Sequence, residues 1–266
     1  MPQDWENKIR KYCHDYNVPL EYLSDTLYEP KVIPMIRGKA FEFSVMLKLQ
    51  SILPEEDWIV EKEQMNAQQG FHDIDVKVTH RRSGKVISVE CKLAAKGRYK
   101  HVRTGEDTIA VKCMRSRTLG ASMVQTLAPR LGIPARQLSV HNDQYVPTDF
   151  DIVITSIGNA FYETDPEGRF IWDPSPDGED FLRRIGGAGD REQLKDFAFQ
   201  TMYVAPASGL AIHNNGLRCT RRACRQKATC GFIPNYPIIK FDQASSSPEQ
   251  PWVHIQDSLD VFSALL

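Results

Sequence analysis

Residues 72–93 read His72-Asp73-Ile74-Asp75-Val76-Lys77-Val78-Thr79, then a turn at Arg82-Ser83-Gly84-Lys85, then Val86-Ile87-Ser88-Val89-Glu90-Cys91-Lys92-Leu93. Successive side chains of a strand point to opposite faces. Ile74, Val76 and Val78 therefore share one face, and Asp73, Asp75 and Lys77 share the other. In the second run Val89, Cys91 and Leu93 point to the core, and Glu90 and Lys92 point away from it. Two alternating runs about a glycine-containing turn predict a β-hairpin. Pairing them can bring Asp75, Glu90 and Lys92 together on one polar face, backed by core.

Outward from the hairpin, the periodicity changes. Phe41, Val45, Met46, Leu49 and Leu53 recur at three- and four-residue spacing, an amphipathic helix that ends before Pro54. The first ~35 residues, punctuated by Pro19, Pro30 and Pro34, predict short helices or arms. Residues 58–64 predict a strand and residues 107–131 a helix. Residues 150–157, strongly apolar, predict a buried strand. Residues 180–185 and 191–199 predict helices, and 205–240 irregular chain. This alternation predicts an α/β fold with a mixed central sheet flanked by helices.

Composition places the chain among ordinary globular proteins: 266 residues, 41% hydrophobic and 25% charged. Collagen-like and disordered classes are excluded, and the length suits one large domain, alone or with an appendage. No apolar run approaches the roughly 20 residues of a membrane span. Met1-Pro2-Gln3-Asp4-Trp5 lacks the basic-then-apolar pattern of a signal peptide, so a cytoplasmic protein is expected. The net charge of −1 hides segregation. Residues 92–103 hold Lys92, Lys96, Arg98, Lys100 and Arg103 and no acid. Residues 197–241, also acid-free, hold Arg218, Arg221, Arg222, Arg225, Lys227 and Lys240. Two local basic runs on a near-neutral chain suit a polyanion such as DNA, held locally.

Two neighbouring carboxylates repel unless a proton or a cation lies between them. A hard ion such as Mg2+ takes oxygen ligands from one or two carboxylates and a substrate phosphate. It polarises the phosphoryl oxygen and acidifies a bound water. Lys92 would orient or help deprotonate that water, or stabilise transition-state charge. Glu-x-Lys alone carries little: Glu6-Asn7-Lys8 repeats it in a predicted helix. The conjunction of an acid on an alternating strand, a turn, and Glu-x-Lys in an apolar strand carries the reading. The competing reading is a surface hairpin with a solvated ion pair.

Asp75, fourteen intervening residues, then Glu90-Cys91-Lys92 resembles the PD-(D/E)xK nuclease superfamily, which includes restriction endonucleases, recombination nucleases and junction resolvases. Arg37-Gly38-Lys39-Ala40-Phe41-Glu42 resembles the RGxxFE entry of many members. The resemblance covers residues 37–160. It implies a restriction endonuclease-like core, Asp75 and Glu90 as Mg2+ ligands, Lys92 as the catalytic lysine, and Glu42 as an auxiliary acid. Ile74 stands where the motif has proline, and Asp73 shares the face of Asp75 and competes with it as ligand.

Cys219, Cys224 and Cys230 stand as Cys-x4-Cys-x5-Cys, three of the six cysteines within twelve residues. Clustered thiols in an intracellular chain predict metal rather than packing. His213 would complete a tetrahedral zinc site. Alternatively, and as the expectation preferred over zinc, Cys13 or Cys113 would complete a [4Fe–4S] cluster. That second option is similar to an iron–sulfur branch of the same superfamily, with one early and three late cysteines. Arginines held between metal ligands would read phosphate or guanine.

The division expected is a nuclease core with an N-terminal helical arm over 1–204, a basic cysteine-rich metal-stapled subdomain over 205–241, and a C-terminal segment over 242–266 packing on the core. The DNA-facing set is Lys96, Arg98, Lys100, Arg103, Arg218, Arg221, Arg222, Arg225 and Lys227. The function expected is a Mg2+-dependent, restriction-type endonuclease of duplex DNA, for which a homodimer would suit two-fold sites. The alternatives are a repair or recombination exonuclease or flap nuclease with an Fe–S cluster, and a non-catalytic metal-stapled DNA-binding protein.

Overall fold

The alternation of Val76, Val78, Ile87 and Val89 gives two strands that bury one face, and Pro54 stops the preceding helix beside them. A computed structural model describes residues 4–62, 74–103, 105–213, 215–242 and 245–266. The chain begins with three helices, α1 (Asp4–Asp15), α2 (Leu20–Tyr28) and α3 (Val32–Ile52). A meander follows: β1 (Trp58–Glu61), β2 (Val76–His80) and β3 (Val86–Cys91). Next come β4 (Ala94–His101), β5 (Asp107–Val111), α4 (Ala121–Leu131), α5 (Ala135–Val140) and β6 (Ile152–Ser156). Then come β7 (Tyr162–Thr164), β8 (Phe170–Trp172), α6 (Pro176–Arg184), α7 (Arg191–Gln200) and β9 (Met202–Pro206). The chain closes with α8 (Ala207–Leu210), β10 (Ile238–Phe241), β11 (Val253–His254) and α9 (Ser258–Ser263).

The architecture is mixed α/β. Six strands form one sheet in the order β1-β2-β3-β6-β9-β11, with β3 and β6 parallel and the other pairs antiparallel. A second sheet has the order β10-β5-β4, and β7 pairs with β8. On one face of the main sheet, Phe41, Val45 and Leu49 of α3 pack on Val76, Val78, Ile87, Val89, Ile152 and Ile154. On the other, Val153 and Ala205 pack with Phe181, Leu182, Leu194 and Ala198 of α6 and α7, and with Ile109, Val111 and Ile239 of the second sheet. Strand β6 is covered on both faces, which is why its sequence is apolar throughout rather than alternating.

Several boundaries differ from the sequence expectation. Strand β2 starts at Val76, so Asp75 sits just before it, and Asp73 and residues 63–64 lie outside the described residues. Residues 107–131 are not one helix. Asp107-Thr108-Ile109-Ala110-Val111 is the central strand of the second sheet, since its β-branched residues fit a covered pleat, and only Ala121–Leu131 is helical. Residues 205–241 are not irregular throughout. Residue 204 lies inside β9, and residues 238–241 form β10 against β5, so this segment shares both sheets with the rest of the chain. The cysteine region packs with Val124, Ala128, Leu138 and Val146 from α4, α5 and the following turn. Among the described residues, no helix is long and apolar enough to cross a membrane.

Candidate metal centres

Strand parity delivers the first group of side chains. Val76 lies opposite Val89 in the β2–β3 register, so Asp75, one residue earlier, points to the face of Glu90. The Asp75 carboxylate accepts the Cys91 backbone N–H at 2.9 Å. Glu90, 6% exposed, accepts the Tyr145 hydroxyl at 2.9 Å and lies 2.5 Å from Lys92 Nζ, all at Oε1. The Lys92 N–H bonds to the Ile154 carbonyl, which carries the parallel β3–β6 pairing one residue further. Cys91 turns into the core below Phe41 and Val45, as parity requires. Glu42 arrives from α3, buried, with Lys39 at 2.7 Å and Lys62 closer still. It sits one residue from Phe41, at the edge of the apolar stripe that docks the helix.

The electrostatics show three acids within one field. Burial first, then Glu90 and Glu42, raise Asp75 to about 7, against the opposing Cys91 amide and Lys92. Burial works against the Lys92 ammonium, but Glu90, Tyr145 and Asp75 outweigh it and its pKa is raised. Burial and Glu90 push the Tyr145 phenol upward, so Tyr145 keeps its proton and donates. Crowded carboxylates, with half-buried Lys92 and Lys62 drawn onto them, are a site that favours positive charge. A divalent cation fits the donor set of Asp75 and Glu90.

The second group is His141, Cys219, Cys224 and Cys230, all buried, with one ligand atom from each lying within 4.8 Å of the others. This group could hold a metal ion. Its fourth member is neither Cys13, Cys113 nor His213. Cys13 is in α1, Cys113 is in the core beside Ile109 and Val111, and His213 turns its Nδ1 to the Ala211 carbonyl at 2.6 Å. His141 ends α5, and its ring stacks on Phe232 with centroids 4.2 Å apart.

Hydrogen bonding assigns the histidine tautomer. Gln144 Nε2 donates to the Ile233 carbonyl at 2.9 Å, which turns Gln144 Oε1 toward His141 Nδ1 at 2.5 Å. Nδ1 therefore carries the proton, and Nε2 presents a lone pair. Among the described residues that Nε2 is buried with no hydrogen-bond partner. A ligating histidine held by a carbonyl on its other nitrogen is the usual outer-shell arrangement. Burial lowers the His141 pKa and raises Cys219, and it raises Cys230 to about 12.

The basic residues divide. Arg98, Lys100, Arg103, Arg218, Arg222 and Arg225 are exposed. Lys96 donates to the Thr164 hydroxyl and lies 4.3 Å from the Phe170 ring centre. Arg221 pairs with Asp143, and Lys227 donates to the Arg221 carbonyl, so both are tied into the cysteine loop. Sequence reasoning missed His141, Gln144, Tyr145 and Lys62. Their partners are remote in the chain, and no local spacing signals them.

Compared with known proteins, the chain matches no family model, no curated protein and no solved structure.

Proposed function

We propose that the protein is a Mg2+-dependent deoxyribonuclease with a restriction endonuclease-like core that cuts duplex DNA internally. The observation that carries this reading is the meeting of half-buried Asp75, just ahead of β2, with buried Glu90 on β3, with Lys92 on the Glu90 carboxylate and Glu42 in the same field. Mg2+ held by Asp75 and Glu90 would polarise the scissile phosphate and acidify a water. Lys92, kept as an ammonium by its acids, donates toward the attacking water or the developing negative charge rather than removing a proton. Glu42, tethered by Lys39 and Lys62, adds negative charge that retains the cation. Arg98, Lys100, Arg103, Arg218, Arg222 and Arg225 are free of the fold's interior and supply phosphate contacts.

We read the cysteine–histidine group as a single structural Zn2+ site. Ligands of one tetrahedral zinc sit roughly 4 Å apart, from bond lengths near 2.0–2.3 Å. The observed 4.8 Å limit agrees with that spacing. A four-iron cluster places each ligand on a different iron, hence farther apart, and takes four thiolates. Three thiols and one imidazole are the donors here.

Covalently closed plasmid and linear duplex, each incubated with Mg2+ or with EDTA, test the main reading. Plasmid linearised with Mg2+ and untouched with EDTA supports an endonuclease. Digestion of the linear duplex alone reassigns the protein as an end-dependent exonuclease. Binding without hydrolysis rejects catalysis. Metal analysis of protein purified without oxygen tests the second: one zinc per chain is expected, and a brown iron-containing protein contradicts it.

A further inference from the structure

Residues 141–145 join the two centres. His141 belongs to the cysteine group, and Tyr145 hydrogen-bonds Glu90. We propose that occupancy of the cysteine–histidine centre sets the divalent-ion affinity of the acid cluster, with Tyr145 as the positioning residue that transmits it. This inference rests on the nuclease reading above.

The segment 141–145 has few supports of its own, because it is a turn, and its side chains and carbonyls are spent on other elements. Asp143 pairs with Arg221 from the cysteine loop and accepts from Asn235 at 2.8 Å. Gln144 bonds His141 on one side and the Ile233 carbonyl on the other. The Ile233 N–H returns to the Tyr145 carbonyl at 2.9 Å. Phe232, beside Ile233, is the ring stacked on His141. The anchors on this side thus all belong to chain between Cys219 and Asn235, which the metal ligands hold. The other supports are Arg115, whose backbone N–H and Nε–H donate to the Asp143 and Gln144 carbonyls at 3.0 and 2.9 Å, Leu119, whose N–H donates to the Asn142 carbonyl at 2.8 Å, and Phe150, whose ring centre lies 5.1 Å from that of Tyr145. The Arg115 guanidinium lies 4.9 Å from the Tyr145 ring centre.

At the other end, the Tyr145 hydroxyl and Lys92 both occupy Oε1 of Glu90. That leaves Oε2 as the oxygen for a cation and restrains the carboxylate's rotation. Loosening the cysteine loop releases 141–145, moves the phenol, and lets Glu90 turn. Second partners of ligating carboxylates change metal affinity about 10–100-fold when removed.

The test is direct Mn2+ binding to zinc-loaded full-length protein, followed by the decrease of the free-ion electron paramagnetic resonance signal. Tyr145→Phe should weaken Mn2+ binding about tenfold. His141→Ala should lose zinc and weaken Mn2+ binding to a similar extent. The double variant should be no weaker than the worse single, because both act through one hydrogen bond. His141→Cys should restore zinc and Mn2+ affinity together. Zinc loss with unchanged Mn2+ affinity overturns the proposal, as does full additivity in the double variant. If His141→Ala does not fold, Tyr145→Phe still decides the point: it removes the hydroxyl that donates to Glu90 and leaves His141 and the three cysteines in place, and an unchanged affinity overturns the role of Tyr145. Asp75→Asn is the separate control. If it binds Mn2+ like the wild type, the acid cluster is not the ion site, and the nuclease reading falls along with the coupling.

Discussion

Asp75 holds its proton to about 7 because it is half-buried beside Glu90 and Glu42. A divalent ion must displace that proton, so ion affinity should fall about tenfold per pH unit below 7 and level off above it. Calorimetric Mg2+ titration between pH 5.5 and 8.5 measures this, and a flat profile contradicts it. The sign for folding follows from the same shift. The folded pKa lies above the unfolded one, so protonation favours the fold. Asp75 costs stability above about 7 and nothing below the usual aspartate range, and added Mg2+ should remove the high-pH cost. At this scale the acid cluster was legible in the sequence: period-two alternation alone puts Asp75, Glu90 and Lys92 on one face and Cys91 on the other. His141 was not legible. Its three thiol partners come from a distant loop, and the orphaned Nε2 that identifies it exists only once Gln144 has fixed the ring.

At the scale of elements, α3 seats Glu42 through its apolar stripe. Leu49 is fully buried between this helix and the sheet. Leu49→Ala should cost about 2–5 kcal/mol in urea unfolding, the range for a buried leucine whose cavity collapses only partly. The cysteine loop makes a contrasting pair. Arg218, Arg222 and Arg225 are exposed, and replacing all three with alanine should leave stability nearly unchanged. Each of these arginines that neutralises a phosphate contributes about 0.9 to the slope of log DNA affinity against log salt, so its removal should flatten the slope by that amount. Arg221→Ala should act on folding instead, by about 1–3 kcal/mol, because it strips a charged partner from Asp143. Urea unfolding and salt-dependent binding separate the two effects. Helices α3, α6 and α7 and strand β6 follow from local period and apolar runs. The error at residues 107–131 has a physical source: the short apolar stretch Ile109-Ala110-Val111 is compatible with helix or strand until the β4 and β10 partners are known.

For the whole molecule, the apolar cluster around the cysteines is separate from the two clusters that sandwich the main sheet. It is built from α4, α5 and chain far downstream, and it contains Cys219, Cys224 and Cys230 themselves. Stripping metal with a strong chelator should therefore loosen this region first. Hydrogen exchange should rise over residues 121–146 and 212–233 while the six-stranded sheet stays protected. Uniform deprotection across both regions would show that the centre supports the global fold instead. The joining of distant segments is the part that one-dimensional reading could not reach, since it depends on which turns face which.

The central claim is that Asp75 and Glu90 jointly hold a divalent ion beside a DNA phosphate. Anomalous diffraction from crystals grown with Mn2+ and a duplex oligonucleotide tests it most directly. The expected map has a peak about 2.1 Å from an oxygen of each carboxylate and from a phosphate oxygen, with Lys92 on the water side. A map with no peak there, or with the DNA on another face of the protein, would contradict the account.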